Sequence, residues 1–235
     1  MNSPRRAEKP MSTLKSAILV VIGLSWVLMI VVGLVVLWDY DTGPAPPGHP
    51  PQRWPVASHL PAPAGRARLV VAAHPHCPCT RASVGELERL MAQAGEHVEA
   101  YVLFFRPDGV PEEWVQTALW SRAAAIPGVH VVRDDGGAKS ERFGALASGQ
   151  AMLYGANGAL LFRGGITASR GHSGDNPGRA AIVALARGER SSPVVTPVFG
   201  CTLREGIGTQ PRTRGGITLV RQFLGRLGVP VRTVE

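Results

Sequence analysis

The sequence predicts an α/β fold, with a central mixed sheet flanked by helices and a single N-terminal transmembrane helix before it. Three observations carry this prediction. Residues 16–38 contain no charge. Beyond residue 66, short apolar runs alternate with segments of helical periodicity, a pattern that builds a mostly parallel sheet covered by helices. The last two apolar runs are separated by Asn157-Gly158, a hairpin signal that adds antiparallel strands.

The composition is that of one globular domain with attachments. The chain has 235 residues, of which 45% are hydrophobic and 18% charged, which is too apolar for a disordered protein. Three cysteines are too few for a small disulfide scaffold. The formal net charge is +8, but no basic run is longer than Arg5-Arg6, so nucleic acid is not an expected partner.

The uncharged run over 16–38 is long enough to cross a bilayer. As a helix it measures about 34 Å at about 1.5 Å per residue, and it exceeds the apolar core of a secretory signal, about 7–15 residues. Basic residues precede the run and acidic residues follow it, namely Arg5, Arg6, Lys9 and Lys15 against Asp39 and Asp41. The positive flank stays inside. We therefore expect an uncleaved anchor in the cell inner membrane, with residues 1–15 cytoplasmic and the remainder periplasmic.

Residues 39–66 are predicted to be a Pro-rich linker. Eight of the 25 residues from 42 to 66 are proline. Such a segment tends to polyproline II and acts as a semi-rigid spacer. We therefore expect it to hold the following domain off the membrane.

The domain predicted over 67–203 has the element order β-α-β-α-β-α-β-β-α. Apolar runs predict strands over 68–74, 98–105, 129–132, 151–154 and 159–162. Helical spacing predicts helices over 80–94, 111–125 and 138–147. For the last helix, Asn176 is a cap, Pro177 an opening residue and Gly188 a closing one. Residues 204–235 form a basic tail outside this pattern.

The motif HPHCPCT over 74–80 falls at the first strand-to-helix junction. A cysteine there faces unpaired backbone N–H groups and the positive end of the helix, and both favour the thiolate. We therefore predict that Cys77 is the reactive thiol and that Cys79 takes part in its chemistry. His76, Pro78 and Thr80 are predicted to support the site, His76 by lying beside the Cys77 sulfur.

The motif and the residues after it, 81–87, resemble the active-site helix of thioredoxin-fold proteins. Three segments together, HPHCPCTRAS, GGITASRGHSGDNPG over 164–178 and TPVFGC over 196–201, resemble the bacterial RedB-type group of membrane-anchored thioredoxin-like proteins. This resemblance covers about residues 66–203. It implies a thioredoxin-like fold, thiol–disulfide exchange with periplasmic protein thiols or disulfides, and no cofactor.

The sequence departs from the thioredoxin pattern at two places. Thioredoxins use Cys-x-x-Cys, whereas Thr80 stands where the second cysteine is expected and Cys79 lies one position early. The cis-proline that faces the thioredoxin active site is also absent near Gly149-Gln150. A disulfide between Cys77 and Cys79 would close a small, strained and easily reduced ring.

Cys201 is predicted to join the site despite its distance in sequence. It follows an apolar, proline-bounded segment over 194–200 that is suited to docking on the domain. Three pairings among the cysteines are open, and each leaves one thiol over. Cys201 would resolve an intermediate on Cys77 or Cys79, or supply a third soft ligand to a metal.

Two other interpretations remain open at this stage. One is copper binding or delivery, because Cys and His ligands suit copper(I). Its candidate ligands are His74, His76, Cys77, Cys79, His172 and Cys201. The other is a non-enzymatic interaction domain with a degenerate active site, because fold does not dictate function.

Overall fold

The computed structural model describes residues 11–204. Its first element is helix α1, Met11–Thr42. Within Lys15–Thr42, an 18-residue stretch reaches a mean hydropathy of 3.0 and is unburied. By length and composition it fits a membrane span, and a signal sequence fits the same properties. The helix belongs to one unit up to Asp41, and a second compact unit begins at Thr42.

The second unit is built on a five-stranded mixed sheet, which confirms the predicted architecture. The strands are β1 Ala67–Ala73, β2 Val98–Arg106, β3 Val129–Asp135, β4 Gln150–Tyr154 and β5 Leu160–Gly165. Their order across the sheet is β3-β2-β1-β4-β5. Strands β1, β2 and β3 run parallel, whereas β4 is antiparallel to both β1 and β5. All seven residues of the central strand β1 are buried, as expected from its continuously apolar sequence.

Helices cover the sheet, and their bounds are α2 Pro78–Ala94, α3 Ala118–Ala124, α4 Ala138–Arg142 and α5 Pro177–Ala186. Helix α5 begins as the sequence predicts, because the Asn176 side chain accepts the N–H of Arg179 at 2.8 Å. The helix predicted over 111–125 is divided instead. A 3-10 turn, Glu112–Trp114, precedes α3, and Thr117 caps α3 by accepting the N–H of Trp120.

Two apolar cores lie on opposite faces of the sheet, because successive side chains of a strand point to opposite sides. One core contains Leu69 and Val71 of β1 together with side chains of α2 and α5. The other contains Val70 and Ala72 of β1 together with Trp54. The second core thus includes a residue from the segment that precedes the domain predicted from the sequence.

That segment, residues 43–60, packs on the domain, and we call it the strap. The Trp54 side chain is 7% exposed, and its ring contacts those of Phe143 and Tyr154 at centroid distances of 5.0 and 5.3 Å. The backbone N–H of Trp54 also donates to the carbonyl of Gly158 at 2.8 Å. The strap is therefore docked and does not act as the expected spacer, since burial of a large aromatic ring holds it against the sheet.

Candidate functional site

Cys77 lies at the N-cap of α2, where the chain leaves β1. Its backbone is extended, with φ −82° and ψ 125°, and Pro78 occupies the first helical turn. The N–H of Cys77 donates to the carbonyl of His74 at 3.1 Å, and its own carbonyl accepts the N–H of Thr80 at 3.0 Å. This turn sets the Cys77 side chain at the N-terminus of a 17-residue helix, a position that favours a thiolate.

Cys201 meets Cys77 in space although it lies 124 residues further along the chain. The two sulfurs are 2.8 Å apart, and all three cysteines are free thiols. Cys79 completes the cluster, because its thiol lies near enough to Cys201 and Cys77 to shift the pKa values of both. The sulfur of Cys201 therefore lies where the sequence argument places it, and its chemical role stays a prediction.

Residues 198–203, which we call the Cys201 segment, are held by backbone pairing beside β4. The N–H of Ser148 donates to the Cys201 carbonyl at 2.8 Å, and Ala147 pairs with Thr202 in an antiparallel bridge. The contact at Gly200 is so close that an added Cβ would lie 1.8 Å from the Ser148 carbonyl oxygen. A glycine is therefore required for this approach of two backbones.

The three thiols differ in burial and in acidity. Cys77 is 3% exposed and Cys79 is 7% exposed, whereas Cys201 is half-buried. Hydrogen bonds from Cys201 and then from Cys79 hold the pKa of Cys77 far below its ordinary value, against the opposing effect of burial. The same bond to Cys77, then the bond to Cys79 and burial, raise the pKa of Cys201.

Cys79 also stays neutral. Its contact with Cys201 lowers its pKa, but the contact with Cys77, burial and the negative charge of the Cys77 thiolate raise that pKa overall. The site therefore holds one thiolate, on Cys77, and two neutral thiols beside it. Shared hydrogen bonds of this kind stabilise an anion in a buried setting.

A polar network behind the cysteines fixes the turn that carries them. The Thr80 hydroxyl donates to the His74 carbonyl at 2.8 Å and lies 2.8 Å from the Ser148 hydroxyl. The Ser148 hydroxyl oxygen also accepts the N–H of His74 at 3.0 Å. Thr80 thus braces the loop at the position where the resemblance expects a second cysteine. Ser148 was not among the predicted site residues, and its only signal was a small polar residue before Gly149 at the start of β4.

The two histidines of the motif take different positions. His76 is exposed, and its Nε2 lies 3.0 Å from the carbonyl oxygen of Trp114, a residue that sequence reasoning did not select. His74 Nδ1 accepts the N–H of His76 at 3.2 Å, so this nitrogen carries no proton. Burial lowers the pKa of His74, while the charge on Cys77 opposes that shift. The structure thus couples His74 electrostatically to Cys77, while the supporting role of His76 stays a prediction.

The copper interpretation gains no support from the arrangement of its ligands. Within residues 11–204, no group of three or more His, Cys, Asp or Glu side chains is placed to hold a metal ion. His172 is exposed on the loop before α5, and its N–H donates to the carbonyl of Ser169.

Arg170 ties the Cys201 segment to the strap. Its guanidinium donates to the Gly200 carbonyl at 2.9 Å and to the Gly43 carbonyl at 3.3 Å. A second link joins the same two segments, because the N–H of Ala45 donates to the Val198 carbonyl at 2.7 Å. The backbone that carries Cys201 therefore lies between the loop that precedes β4 and the strap.

No family model matches the sequence, and no curated protein matches it. Two solved structures, a hypothetical protein from Sinorhizobium meliloti and an uncharacterized conserved protein from Geobacillus kaustophilus, each match with 18% identity and a TM-score of 0.51. The first match covers 69% of this chain and 96% of the other, and the second covers 70% and 94%. These two matches support the fold alone, a mixed α/β sheet flanked by helices. The exposed lipoprotein thioredoxin of Streptococcus pneumoniae is a more distant match, with 14% identity, a TM-score of 0.40 and coverage of 54% and 87%.

Proposed function

We propose that this protein is a membrane-anchored thiol–disulfide exchange protein in which Cys77 and Cys201 form the redox pair. The observation that carries the proposal is the 2.8 Å separation of their sulfurs. A disulfide needs about 2.05 Å, so a small approach joins them. Cys79 is a poorer partner for Cys77, because residues two apart close a strained ring.

The reaction begins at Cys77. Its thiolate attacks one sulfur of a partner disulfide, forms a mixed disulfide and releases the partner's other sulfur as a thiolate. Cys201 then loses its proton and attacks the Cys77 sulfur, which releases the partner's remaining thiolate. The two released thiolates take up protons. In total the Cys77 thiolate and the Cys201 thiol give two electrons and one proton to the partner, and the solvent supplies the second proton. The same steps in reverse oxidise a partner dithiol.

Neighbouring residues support this chemistry in distinct ways. Cys79 donates to the Cys77 thiolate and lowers its pKa. Pro78 fixes the first turn of α2, and Thr80 braces the loop through its contacts with His74 and Ser148. His76, packed on the Trp114 ring at 4.4 Å, forms an exposed edge of the site.

We place the domain in the periplasm, anchored to the inner membrane by α1, and assign the chain to the RedB-type group. The uncharged helix and its flanking charges support the anchor and its orientation. An oxidising compartment also suits a reversible disulfide. The proposed organisation is a cytoplasmic segment 1–15, a span 16–38, the strap within 39–66, the domain 67–203 and the tail 204–235. Residues 205–235 lie outside the part that the structure describes.

The test is disulfide mapping on the full chain in detergent, after reduction and then after stepwise oxidation in redox buffers. We expect one reversible disulfide, and we expect peptide mass spectrometry to join Cys77 to Cys201. Cys79→Ser is the matched control and should retain that disulfide. A Cys77–Cys79 disulfide as the main product, or three thiols that stay reduced in every buffer, would contradict the proposal.

A further inference from the structure

We propose that the Cys77–Cys201 site acts at the surface of the membrane that holds α1, on a protein disulfide or dithiol positioned close to that surface. This inference rests on the proposed function and its anchor. Its basis is the docked strap, which removes the reach that a Pro-rich linker would otherwise give the domain.

Hydrogen bonds hold the strap along its length. Near its start, the N–H of His49 donates to the Gly144 carbonyl at 3.0 Å. Further along, the Pro51 carbonyl accepts the Tyr154 hydroxyl at 3.2 Å, and the Gln52 carbonyl accepts the N–H of Leu160 at 2.9 Å. These bonds join the strap to the loop after α4, to β4 and to β5, so most of it moves with the domain.

Close backbone packing strengthens this attachment. A Cβ added at Gly48 would lie 2.2 Å from the Gly144 carbonyl oxygen. A Cβ added at Gly144 would lie 2.2 Å from the His49 carbonyl oxygen. The two glycines therefore allow a contact between strap and domain that side chains would prevent.

Arg170 holds the first residue of the strap close to the redox site. Its one guanidinium binds the carbonyls of Gly43 and Gly200. Helix α1 ends at Thr42, one residue before Gly43, and Cys201 follows Gly200 directly. Consecutive Cα atoms lie about 3.8 Å apart. The chain that leaves the helix is therefore at the site within a residue or two.

The difference in reach is large. If residues 42–66 were a free linker, these 25 residues would extend up to roughly 85 Å at about 3.3–3.6 Å each. With the strap docked, the domain can pivot about the junction of Thr42 and Gly43, but Cys201 stays near that junction. The partner must therefore bring its sulfurs near the bilayer surface, because exchange requires direct sulfur contact.

The partner class follows from this restriction. A protein whose disulfide or dithiol lies in a segment next to its own membrane anchor meets the site directly. A partner whose sulfurs lie far above the bilayer meets it only if the strap detaches. Two reactants held on one surface also gain a raised effective concentration. The geometry thus favours membrane-bound partners whose sulfurs lie close to the bilayer surface.

The test places the full-length protein in lipid vesicles and measures exchange with lipid-anchored peptide disulfides at different heights. Polyproline spacers of zero, ten and twenty residues set heights that rise by about 31 Å per ten residues. We expect the shortest probe to react at least about tenfold faster than the longest. A soluble version of the same peptide disulfide measures the intrinsic rate in each sample.

Two insertions of ten Gly/Ser residues distinguish a docked strap from a free linker. An insertion between Thr42 and Gly43 adds about 17 Å of flexible chain, at about 5–6 Å × √n, and should shift the rate maximum to a taller probe. The same insertion between Gly65 and Arg66, in an exposed turn after the strap, is the matched control. It should leave the height profile unchanged. Neither insertion should alter the rate with the soluble probe.

The outcomes distinguish this inference from the function on which it rests. No exchange with any probe, soluble probe included, would refute the proposed function. Exchange with the soluble probe but equal rates at all heights would overturn the inference alone. Equal shifts from both insertions would also overturn it, because they would mean that the whole segment acts as a spacer.

Discussion

The carbonyl of Cys201 accepts a hydrogen bond from the backbone N–H of Ser148 at 2.8 Å. This bond fixes the position of Cys201, which is distant in sequence, beside the loop that precedes β4. The N–H of Leu203 adds a second bond to the Leu146 carbonyl at 3.0 Å. Because these bonds involve backbone groups, they fix where Cys201 lies irrespective of its oxidation state. The sulfur is thereby presented to Cys77 before any bond forms between them.

Replacing Gly200 should displace the Cys201 segment from its position beside Ser148. In Gly200→Ala the new Cβ meets the Ser148 carbonyl oxygen, so the Cys201 segment must move away. We expect the rate of Cys77–Cys201 disulfide formation to fall at least about tenfold, since proximity supplies much of such a rate. This rate is measured by alkylating the remaining free thiols at successive times during oxidation. Gly85→Ala is the control, because its Cβ has only ordinary contacts at 3.8 Å or more, and its rate should match the unmodified chain.

Serine substitutions should separate the roles of the three thiols. Cys77→Ser should abolish mixed disulfides with a model disulfide peptide, because the nucleophile is gone. Cys201→Ser should accumulate them, because the resolving thiol is gone. Cys79→Ser should still resolve the mixed disulfide. Cys79→Ala should in addition raise the pKa of Cys77, since one donor to the thiolate is lost. Non-reducing mass spectrometry measures the trapped fraction. Trapping by Cys79→Ser and not by Cys201→Ser would reverse the last two roles.

The pH dependence of alkylation should identify the thiolate. The lowered pKa of Cys77 means that this residue stays ionised below about pH 8.5, where a free thiol becomes protonated and slows about tenfold per pH unit. Iodoacetamide labelling followed by peptide mass spectrometry should show a rate for Cys77 that falls with decreasing pH much less than the rate of a free thiol. The profiles of Cys79 and Cys201 should rise with pH, because their pKa values are raised. A Cys77 profile that tracks a free thiol would contradict the assignment.

Local sequence patterns predicted the sheet well, and tertiary contacts account for the differences. The continuous apolar run of β1 and the Asn157-Gly158 turn are strong local signals. Strand β1 and the β4–β5 hairpin form where these signals predict them. The helix predicted over 111–125 breaks at Thr117, whose side chain caps a new helix in competition with helix continuation. The strap was predicted to be a spacer because of its high proline content. It docks because Trp54 is buried against the sheet, a tertiary contact that local sequence patterns do not reveal.

The site was predictable where chemistry is concentrated in sequence. The motif places Cys77 at a helix N-terminus by local rules alone, and the apolar run before Cys201 signalled a docked segment. The contributions of Ser148 and Arg170 could not be predicted this way. Ser148 accepts the backbone N–H of His74 and Arg170 donates to the Gly200 carbonyl, both in segments distant in sequence. A single sequence carries no periodic pattern for such contacts.

Glu86 is a fully buried carboxylate that joins α2 to the loop before α5. Its side chain is 0% exposed, and Arg179 donates to it at 2.7 Å. The side-chain amide of Asn176 donates at 3.1 Å and the N–H of Gly174 at 2.9 Å. Arg89, on the following turn of α2, also donates to it. A buried charge with this many donors is stable only while its partners remain.

Removing that carboxylate should destabilise the domain far more than removing an exposed one. We expect Glu86→Ala to lower the free energy of unfolding by about 3–5 kcal/mol, because it leaves the largely buried Arg179 guanidinium with the fully exposed Asp175 as its remaining ion-pair partner. Glu88→Ala is the matched control on the same helix. Its ion pair with Arg122 is about half exposed on both sides, so its loss should cost no more than about 1 kcal/mol. Denaturant unfolding of the full chain in detergent measures both. Equal losses would mean that Glu86 does not anchor the loop, and the start of α5 would then depend on the Asn176 cap alone.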